Sequence, residues 1–561
     1  MNATVSSEIQ ADLNSAILKL KQGALRLQSM PLKQRRHLID SCAANIPAFA
    51  QQWVEVGCAA KQISLAQPAA SEEILTGPGT LIRYLRLLSR LLRDIQKEGK
   101  PRLPGQPRCN QIGRTCIPVI PVRSLFDQLI FRGLSAEVWL NVDNDDQDIF
   151  ADFPSEQNTL GNGKIAGVLG AGNVSAIPAT DMLYKIFHDG EVVLLKLNPV
   201  NNYLYSTFTS VFAPLIENQL LHILQGGNDV GKAIVSHPEI DSLHITGSHH
   251  SHDAIIWGAT ETERSDRISN DNPLVKKPIT SELGNVTPWI VVPGKYSNRQ
   301  LQSQAEHIAA SIVNNASFNC VATKMIVTSK DWPQRSDFLA RIETLLKSIP
   351  PRHAYYPGAR ERFELANGGN TIPGTSSKLP WTLIRDTTLE TAAHLFQEES
   401  FVCVCAETTL PASNPIEFLN SAVEFVNNEL FGTLCATITV PKLFENQETL
   451  ALEEAIAQLQ YGSVCVNQWA GVVYGLMTPP WGGHPNSNLK SPQSGIGHVH
   501  NTFGLKNFEK TVLRGPLCSY PKPVWFYSHK TANQVGWSLL KLYEKPSITR
   551  LPLLFFHALR G

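Results

Sequence analysis

A cysteine in a polar segment is the first residue of this sequence that could do chemistry. Cys320 lies in NNASFNCVATKMIV, where a helix is expected to pass into a strand and where Asn314 and Asn319 stand nearby. A thiol in such surroundings is expected to be partly exposed and ionised, and a thiolate is a strong nucleophile. Taken alone, a free cysteine is more often a small packed hydrophobe, so Cys320 needs partners before it is given a role.

Two residues far from Cys320 in the chain provide the groups that covalent chemistry at a carbonyl requires. Glu282 ends the strand-like segment PITSEL, and Asn173 follows the strand-like segment KIAGVLG. Such chemistry needs a base for the thiol or for a later water, and a donor that stabilises the developing oxyanion. Glu282 fits the base and Asn173 the donor, although alone each fits a salt bridge or a turn equally well.

The composition favours an enzyme that acts on small molecules. The 561 residues are 43% hydrophobic and 17% charged, which is typical of globular proteins. Lys plus Arg number 49 and so do Asp plus Glu, so the basic surplus of a nucleic-acid-binding protein is missing. We expect no membrane span, no signal peptide and, from ten cysteines without a C-x-x-C pair, a cytoplasmic location.

Short strands alternate with helices, which predicts an α/β fold with two doubly wound parallel-sheet domains. The strand candidates of the first unit are KIAGVLG, EVVLLKL, LLHIL, DSLHIT and PITSEL. A second α/β unit follows, over about residues 285–459. Strands joined by helical crossovers lie parallel in a sheet that is covered on both faces.

The first hundred residues are predicted to be helical. In LIRYLRLLSRLLRDIQKEG the leucines share one face, namely Leu81, Leu85, Leu88 and Leu92. This pattern predicts an amphipathic helix against the core. A helix on a membrane surface is disfavoured because Asp94 and Glu98 dilute its positive charge.

Seven segments, in their order along the chain, resemble motifs of the aldehyde dehydrogenase superfamily. They are GAGNVSAIP, VVLLKLNP, HITGSHHSHD, SELGN, NCVA, EESF and the closing series GSVCVNQ, PPWGGH and SGIG. One such segment is a weak signal, whereas seven in order are specific. The resemblance covers about residues 130–510 and implies NAD(P)-dependent oxidation of an aldehyde to a carboxylic acid.

The resemblance also implies a role for each reactive residue. Cys320 would add to the aldehyde and form a thiohemiacetal, whose oxygen would lie between the Asn173 amide and the Cys320 backbone N–H. Glu282 would activate the water that releases the acid. Because Glu282 is present, release by water is favoured over transfer to coenzyme A.

For the cofactor, NAD or NADP, the resemblance implies five binding residues. Lys196 would hold the adenine ribose, Gly247 and Ser248 the pyrophosphate at a helix N-terminus, and Glu399 and Phe401 the nicotinamide ribose. No G-x-G-x-x-G fingerprint is placed after a strand. Without the other motifs, Lys196 would be interpreted as a solvated charge at a strand end.

Several positions depart from the usual pattern of the superfamily and indicate a divergent branch. Gly172 replaces an aromatic residue, and Ser317 and Phe318 replace Gly-Gln. Pro199 stands where a carboxylate often selects NAD, so the choice between NAD and NADP stays open. The run His249–His252 replaces the glycine that often closes the Thr-Gly-Ser turn.

The histidine run invites a metal interpretation, which we consider the weaker one. His249, His250 and His252 share one turn, but the only carboxylate nearby is Asp253. A metal site needs ligands that converge in space, so we expect a solvated helix start and no metal.

Five residues near the C-terminal end keep two interpretations each. They could face the substrate, with the aromatic ones walling an apolar aldehyde pocket, or they could be structural. They are Trp469, Tyr474, His484, His498 and His500.

The pattern of predicted strands and helices, together with the resemblance, divides the chain into six parts. We expect an N-terminal helical part of the cofactor domain at 1–130, bridging strands at 131–158, the dinucleotide-binding domain at 159–284, the catalytic domain at 285–459, a return to the cofactor domain at 460–500, and an oligomerisation strand with a C-terminal extension at 501–561. The resemblance implies a homodimer or homotetramer. An exposed edge of the strand Ala136–Asp143 would be the physical reason to pair.

Two other functions fit the same fold. One is a reductase that makes aldehydes from acyl thioesters or acyl phosphates, which turnover dependent on a thioester would reveal. The other is a catalytically silent oligomeric scaffold, which would show no aldehyde-dependent signal. The sequence does not identify the aldehyde.

Overall fold

The described strands form two large sheets with the predicted α/β character and a two-stranded sheet of Pro480–Trp481 and Val499–His500. The computed structural model describes residues 7–141, 149–151, 163–371 and 377–561. Its strands are β1 (Arg108–Cys109), β2 (Thr115–Ile120), β3 (Ser135–Leu140), β4 (Ile165–Leu169), β5 (Val192–Lys196), β6 (Leu221–Leu224), β7 (Ser242–Thr246), β8 (Ile279–Glu282), β9 (Pro288–Val291), β10 (Met325–Ser329), β11 (Thr382–Ile384), β12 (Val404–Leu410), β13 (Cys435–Thr439), β14 (Ser463–Val466), β15 (Pro480–Trp481), β16 (Val499–His500) and β17 (Phe508–Arg514).

Helices cover both sheets and form most of the N-terminal part. They are α1 (Ser7–Ser29), α2 (Leu32–Ala60), α3 (Ala70–Ile74), α4 (Thr80–Glu98), α5 (Leu125–Ile130), α6 (Ile177–Phe187), α7 (Tyr205–Val211), α8 (Ala213–Glu217), α9 (Asn228–Ser236), α10 (His249–Ile256), α11 (Glu261–Ser269), α12 (Asn298–Val313), α13 (Arg335–Ser348), α14 (Ala359–Ala366), α15 (Leu389–Ala392), α16 (His394–Gln397), α17 (Pro415–Glu429), α18 (Lys442–Gln447), α19 (Thr449–Gln458), α20 (Gly471–Leu476), α21 (Ala532–Glu544) and α22 (Leu551–Leu559). None of these described helices has the length and apolar character needed to cross a lipid bilayer.

The first sheet has five parallel strands in the order β6-β5-β4-β7-β8. All residues of β5 are buried, as a parallel strand with both faces covered should be. Parallel strands bring their carboxyl ends to one edge. Asn173, Lys196, Gly247 and Glu282 follow or end four of these strands, so this edge carries four of the predicted site residues.

The second sheet has ten strands in the order β1-β2-β3-β17-β14-β13-β9-β10-β12-β11. From β17 to β11 all neighbours are parallel, whereas β1, β2 and β3 add an antiparallel extension. The predicted fold class is therefore confirmed.

The extension differs from the expectation in one respect. The strand expected at Ala136–Asp143 is β3, and it pairs on one side with β2 and on the other with β17. It therefore has no free edge, and β1 forms this end of the sheet. Residues 142–148 and 152–158 of the expected bridging segment lie outside the described residues.

The closing segments also differ from the expected division at residue 460. β14 lies in the second sheet, where it pairs in parallel with β13 on one side and with β17 on the other. The chain reaches the first sheet only later, where the Ser281 N–H donates to the Ile496 carbonyl at 2.8 Å and the Leu283 N–H to the Ser494 carbonyl at 2.9 Å.

Helix α4 joins the N-terminal and C-terminal helices. Its leucine face is buried, at 0–2% exposure for Leu81, Leu85, Leu88 and Leu92. On another face Arg83 forms a two-bond ion pair with Asp127 of α5, at 2.9 Å for each bond, and lies over the Tyr543 ring of α21. The leucine face thus packs into the core, as predicted.

The Arg83–Asp127 pair provides a test of this junction. Arg83→Met should lower the free energy of unfolding by about 3–5 kcal/mol, because it leaves a buried carboxylate without its partner. Urea titration followed by tryptophan fluorescence measures the change. As a control, Arg93→Met removes an exposed pair with Asp94 and should cost less than about 1 kcal/mol. Equal effects of the two substitutions would contradict the assignment.

Candidate active site

The nucleophile loop, residues 314–322, connects α12 to β10 and carries Cys320. Asn315, Ala316 and Ser317 have φ values of 51°, 54° and 69°, a left-handed run that non-glycine residues adopt only when their surroundings enforce it. Lys324 provides part of that enforcement, because its Nζ donates to Ser317 Oγ at 2.9 Å. The loop leaves Cys320 partly exposed.

Glu282 is the group beside the thiol. The Cys320 Sγ donates to Glu282 Oε1 at 3.6 Å. Glu282 is 4% exposed, and its Oε2 is buried without a hydrogen-bond partner among the described residues. Burial raises the pKa of Glu282 to about 7, and the charge of Asp181 acts in the same direction. The carboxyl can therefore gain and lose a proton near neutral pH.

The thiol itself is not ionised at rest, contrary to the sequence-based expectation. Burial raises the pKa of Cys320 well above its ordinary value, and the negative charge of Glu282 raises it further. The polar neighbours in the sequence misled the prediction because they do not solvate the sulfur. The structure instead holds a protonated thiol next to an acceptor for its proton.

Asn173 meets the same loop from the first sheet. Its Nδ2 donates one hydrogen bond to the Phe318 carbonyl at 3.1 Å, two residues before the cysteine. No acceptor within the described ranges takes its second amide hydrogen. The backbone N–H of Cys320 likewise has no acceptor in that part of the chain. The structure therefore brings Cys320, Glu282 and Asn173 together.

An apolar wall adjoins these three groups. Val174 and Ile177, directly after Asn173, pack with the Tyr474 ring. The Tyr474 hydroxyl lies 3.3 Å from Thr180 Oγ1. Trp469 contacts the nucleophile loop, because its Nε1 donates to the Val321 carbonyl at 2.8 Å. Both aromatic residues thus lie beside the site, although each is also part of the packed interior.

Three predicted cofactor residues lie along the carboxyl edge of the first sheet. Lys196 ends β5 and is 8% exposed, so it is not the solvated strand-end charge of the alternative interpretation. Burial lowers its pKa. The Gly247 N–H donates to the Glu282 carbonyl at 3.0 Å, and a Cβ at Gly247 would enter open space. Ser248 caps α10 by accepting from the Ser251 N–H at 3.2 Å.

Glu399 and Phe401 approach from the second sheet. The Glu399 carboxylate covers Gly284, where a Cβ would collide with Oε2. Its Oε1 is buried and, among the described residues, has no partner. Burial raises the pKa of Glu399 to about 7, against the opposing charge of Lys324. Phe401 has a φ of 46°, and its ring packs 5.1 Å from that of Tyr356.

Comparisons with known proteins agree with this geometry. The profile of the aldehyde dehydrogenase family matches residues 167–355. A putative aldehyde dehydrogenase of Gibberella fujikuroi is 23% identical over 336 residues, which are 57% of this chain and 63% of the relative. Betaine aldehyde dehydrogenase 1 of Oryza sativa is 23% identical over 55% of this chain and 57% of its own. The chain thus spans less than two thirds of these curated relatives.

Solved structures resemble nearly the whole fold. The aldehyde dehydrogenase of Mycobacterium tuberculosis complexed with NAD+ gives a TM-score of 0.60 at 18% identity, covering 90% of this chain and 89% of that one. The glyceraldehyde-3-phosphate dehydrogenase of Methanocaldococcus jannaschii complexed with NADP gives 0.57 at 14% identity, covering 90% and 94%. At these identities the likeness shows the fold.

The family profile and the fold point to the same group of proteins. Residues 167–355 are similar to the aldehyde dehydrogenase family, and the fold resembles those of solved aldehyde dehydrogenases. The profile matches the part that contains Asn173, Lys196, Glu282 and Cys320.

Two positions that depart from the superfamily pattern, Gly172 and Phe318, lie close to specific side chains. A side chain at Gly172 would collide with Asn198, at 2.7 Å, and with the Tyr356 hydroxyl, at 2.9 Å. The aromatic residue missing before Asn173 is thus replaced in space by one from the second sheet's side. Phe318, in place of the usual glutamine, packs in the same aromatic group, 5.6 Å from Tyr356.

The histidines of α10 point in different directions. His250 Nε2 lies 2.8 Å from Glu398 Oε1, His249 packs on Phe431, and His252 is fully buried beside Asp253. Within the described ranges, no three His, Cys, Asp or Glu side chains come together as a possible metal site.

Sequence reasoning missed several groups that face the site. Lys61 and Tyr355 contact the Asn173 carbonyl, at 3.0 and 3.1 Å. Arg362 has a buried Nε and Nη2 without a partner in the described part of the chain, and burial lowers its pKa against the opposing effects of Tyr356 and Glu399. These residues lie outside the motifs, and their distance in sequence from the reactive groups left no local signal.

The raised pKa of Glu282 predicts the pH dependence of thiol chemistry without any substrate. Alkylation of Cys320 by iodoacetamide should increase as pH rises through about 7, because Glu282 then loses its proton and can accept that of the thiol. In Glu282→Gln the increase should move to higher pH. Peptide mass spectrometry measures the rate, with the partly exposed Cys518 as internal control. An unchanged profile in Glu282→Gln would contradict the coupling.

Proposed function

We propose that this protein oxidises an aldehyde to a carboxylic acid with NAD or NADP, by way of a covalent intermediate on Cys320. The observation that carries the proposal is the contact of 3.6 Å between the Cys320 thiol and the Glu282 carboxyl, beside the free amide hydrogen of Asn173. A nucleophile, a base and an oxyanion donor are the set that such chemistry requires.

Addition to the aldehyde starts from the protonated thiol of Cys320 and the deprotonated carboxylate of Glu282. As the bond from Sγ to the carbonyl carbon forms, the thiol proton passes to Glu282. The carbonyl oxygen gains negative charge and accepts from the second Asn173 amide hydrogen and the Cys320 N–H. Neither hydrogen has an acceptor among the described residues, so both are available when the charge develops.

A bound nicotinamide would supply the acceptor for the hydride whose loss turns the thiohemiacetal on Cys320 into a thioester. Glu282, after returning its proton to solvent, takes a proton from a water that attacks the thioester carbon. The carbon–sulfur bond then breaks, the acid leaves, and the thiolate regains a proton. A carboxyl whose pKa is near 7 is suited to both transfers at neutral pH.

Several groups at the carboxyl edge of the first sheet, and on the segments from the second sheet that approach it, fit a dinucleotide. Glu399 Oε1 is a buried acceptor without a partner among the described residues, which suits a ribose hydroxyl. The free Nε and Nη2 of Arg362 suit a phosphate oxygen. Open space at Gly247, before α10, suits the pyrophosphate. Lys196 would hold the adenine ribose, and Phe401 would position the nicotinamide end.

The same wall that adjoins Cys320 supports an apolar substrate. Val174, Ile177 and Tyr474 present carbon atoms beside the nucleophile loop. We therefore propose an aldehyde with an apolar chain or ring. The assembly that we propose from the resemblance is a homodimer or homotetramer.

Substitution of the nucleophile tests the central claim. Cys320→Ala should abolish aldehyde-dependent formation of reduced cofactor and leave cofactor affinity unchanged, because only the covalent bond is lost. A panel of aliphatic and aromatic aldehydes with each cofactor, followed by absorbance, measures the first effect, and calorimetry the second. Unchanged turnover in Cys320→Ala would end the mechanism. Turnover only with acyl thioesters would favour a reductase, and none with any substrate a silent scaffold.

Substitution of the base separates the two half-reactions. At a pH high enough for the Cys320 thiol to ionise without a base, Glu282→Gln should slow acid release more than hydride transfer, because the amide cannot take a proton from water. Stopped-flow mixing should then show a burst of reduced cofactor followed by a slow steady state. Equal slowing of both phases would count against Glu282 as the group that activates water.

Gly247 tests the cofactor position. Gly247→Ala should weaken dinucleotide binding by about tenfold, because the added methyl group occupies space that the pyrophosphate needs. The thermal midpoint should not change, since the Cβ meets nothing in the free protein. Gly475→Ala, which also adds a methyl group in open space, is the matched control and should leave binding unchanged. Equal affinities in both variants would remove Gly247 from the site.

A further inference from the structure

Lys61, at the C-terminal end of α2, is a buried cation directed at the site. It is 4% exposed, and its Nζ donates to Glu73 Oε1 at 2.6 Å, to the Asn173 carbonyl at 3.0 Å and to Asn315 Oδ1 at 2.9 Å. An ammonium group has three hydrogens, so these three bonds use all of them. Lys61 therefore joins the N-terminal helices to both the oxyanion segment and the nucleophile loop.

Asn315 completes the link between those two segments. Its Nδ2 donates to the Asn173 carbonyl at 3.0 Å and to the Phe318 carbonyl at 2.8 Å. The Asn173 amide donates to that same Phe318 carbonyl. Asn315 also has left-handed backbone angles, so its position depends on these contacts. The amide of Asn173 and the loop that carries Cys320 are thus held by shared acceptors.

A second anchor comes from the same N-terminal part. Glu72 Oε2 accepts the Asn315 backbone N–H at 3.0 Å, and Arg352 neutralises Glu72 with contacts of 2.8 and 2.9 Å. The Tyr355 hydroxyl lies 3.0 Å from Asn315 Oδ1 and 3.1 Å from the Asn173 carbonyl. Glu72 and Tyr355 therefore contact Asn315 or Asn173 in addition to Lys61.

We propose that Lys61, paired with Glu73, is a positioning residue that aligns the Asn173 amide with the nucleophile loop. This inference rests on the proposed function, because it assigns Lys61 an effect on the oxyanion step. Lys61 does not touch the reacting atoms. It acts through Asn173 and Asn315.

Stability alone does not account for this pair. Replacement of a buried ion pair by neutral groups of similar volume is often neutral for stability, whereas removal of one partner leaves a costly buried charge. Glu73 is 1% exposed, and α2 leaves room for its carboxylate at Gly57, where a Cβ would lie 2.6 Å from Oε2. Neutral groups cannot replace the two hydrogen bonds that Lys61 Nζ donates to the Asn173 carbonyl and to Asn315 Oδ1.

The test uses a neutral replacement of both partners, Lys61→Met with Glu73→Gln. This variant should lose about tenfold or more in kcat, with KM for the aldehyde and cofactor affinity changed less than threefold, because a displaced oxyanion donor acts only in the transition state. In the Asn173→Ala background the same replacement should change kcat less than threefold, since its target is already gone. A purely structural effect would persist in that background and would overturn the proposal.

The matched control is another buried lysine pair. Lys185 of α6 is 5% exposed and contacts Asp189 at 2.8 Å and Glu191 at 3.6 Å, and among the described residues it forms no hydrogen bond or ion pair with Cys320, Glu282, Asn173 or Asn315. Lys185→Met with Asp189→Asn should leave kcat within threefold of wild type. An equal loss of kcat in this control would also count against a specific role of Lys61.

Two measurements keep the proposal testable if the double replacement folds poorly or the proposed function fails. Tyr355→Phe removes only a hydroxyl from the same junction and should lower kcat by severalfold with an unchanged thermal midpoint. Hydrogen exchange needs no substrate: amides of residues 173–176 and 314–322 should exchange faster in Lys61→Met with Glu73→Gln and not in the Lys185 control. Unchanged exchange there would overturn the positioning role, whereas faster exchange without aldehyde turnover would refute only the proposed function.

Discussion

The contact between the Cys320 thiol and the Glu282 carboxyl is the constraint on which the rest of the structure depends. Burial raises the pKa of both groups, and the charge of Glu282 raises that of Cys320 further, whereas the hydrogen bond from Cys320 opposes the rise at Glu282. Glu282 belongs to the first sheet and Cys320 to a loop of the second. A shift of about one ångström between the sheets would separate the two groups and remove the coupling.

Several segments that cross between the sheets keep this register. Residues 494–496 run beside β8 and donate or accept at its last residues. Tyr356 reaches from the second sheet to Gly172 and Asn198. Lys61 reaches the same junction from the N-terminal helices. The nucleophile loop has three successive left-handed residues, and such a conformation persists only where many contacts determine it.

The divergent positions are understandable as pairs of changes. Gly172 leaves space that Tyr356 occupies, so an aromatic ring still borders the oxyanion segment. Ser317 stands in place of glycine with a φ of 69°, and Lys324 holds it by a hydrogen bond to its hydroxyl.

The sequence by itself determined the strands of the first sheet, the leucine face of α4 and the candidate set Cys320, Glu282 and Asn173, because periodicity and side-chain type are local properties. Only the tertiary structure decided the protonated state of the thiol, the pairing of β3 on both sides and the junction at Lys61. These depend on burial and on contacts between residues hundreds of positions apart, such as Lys61 and Asn315. Solvent is excluded only when such segments pack together, and no pattern along the chain indicates where that happens.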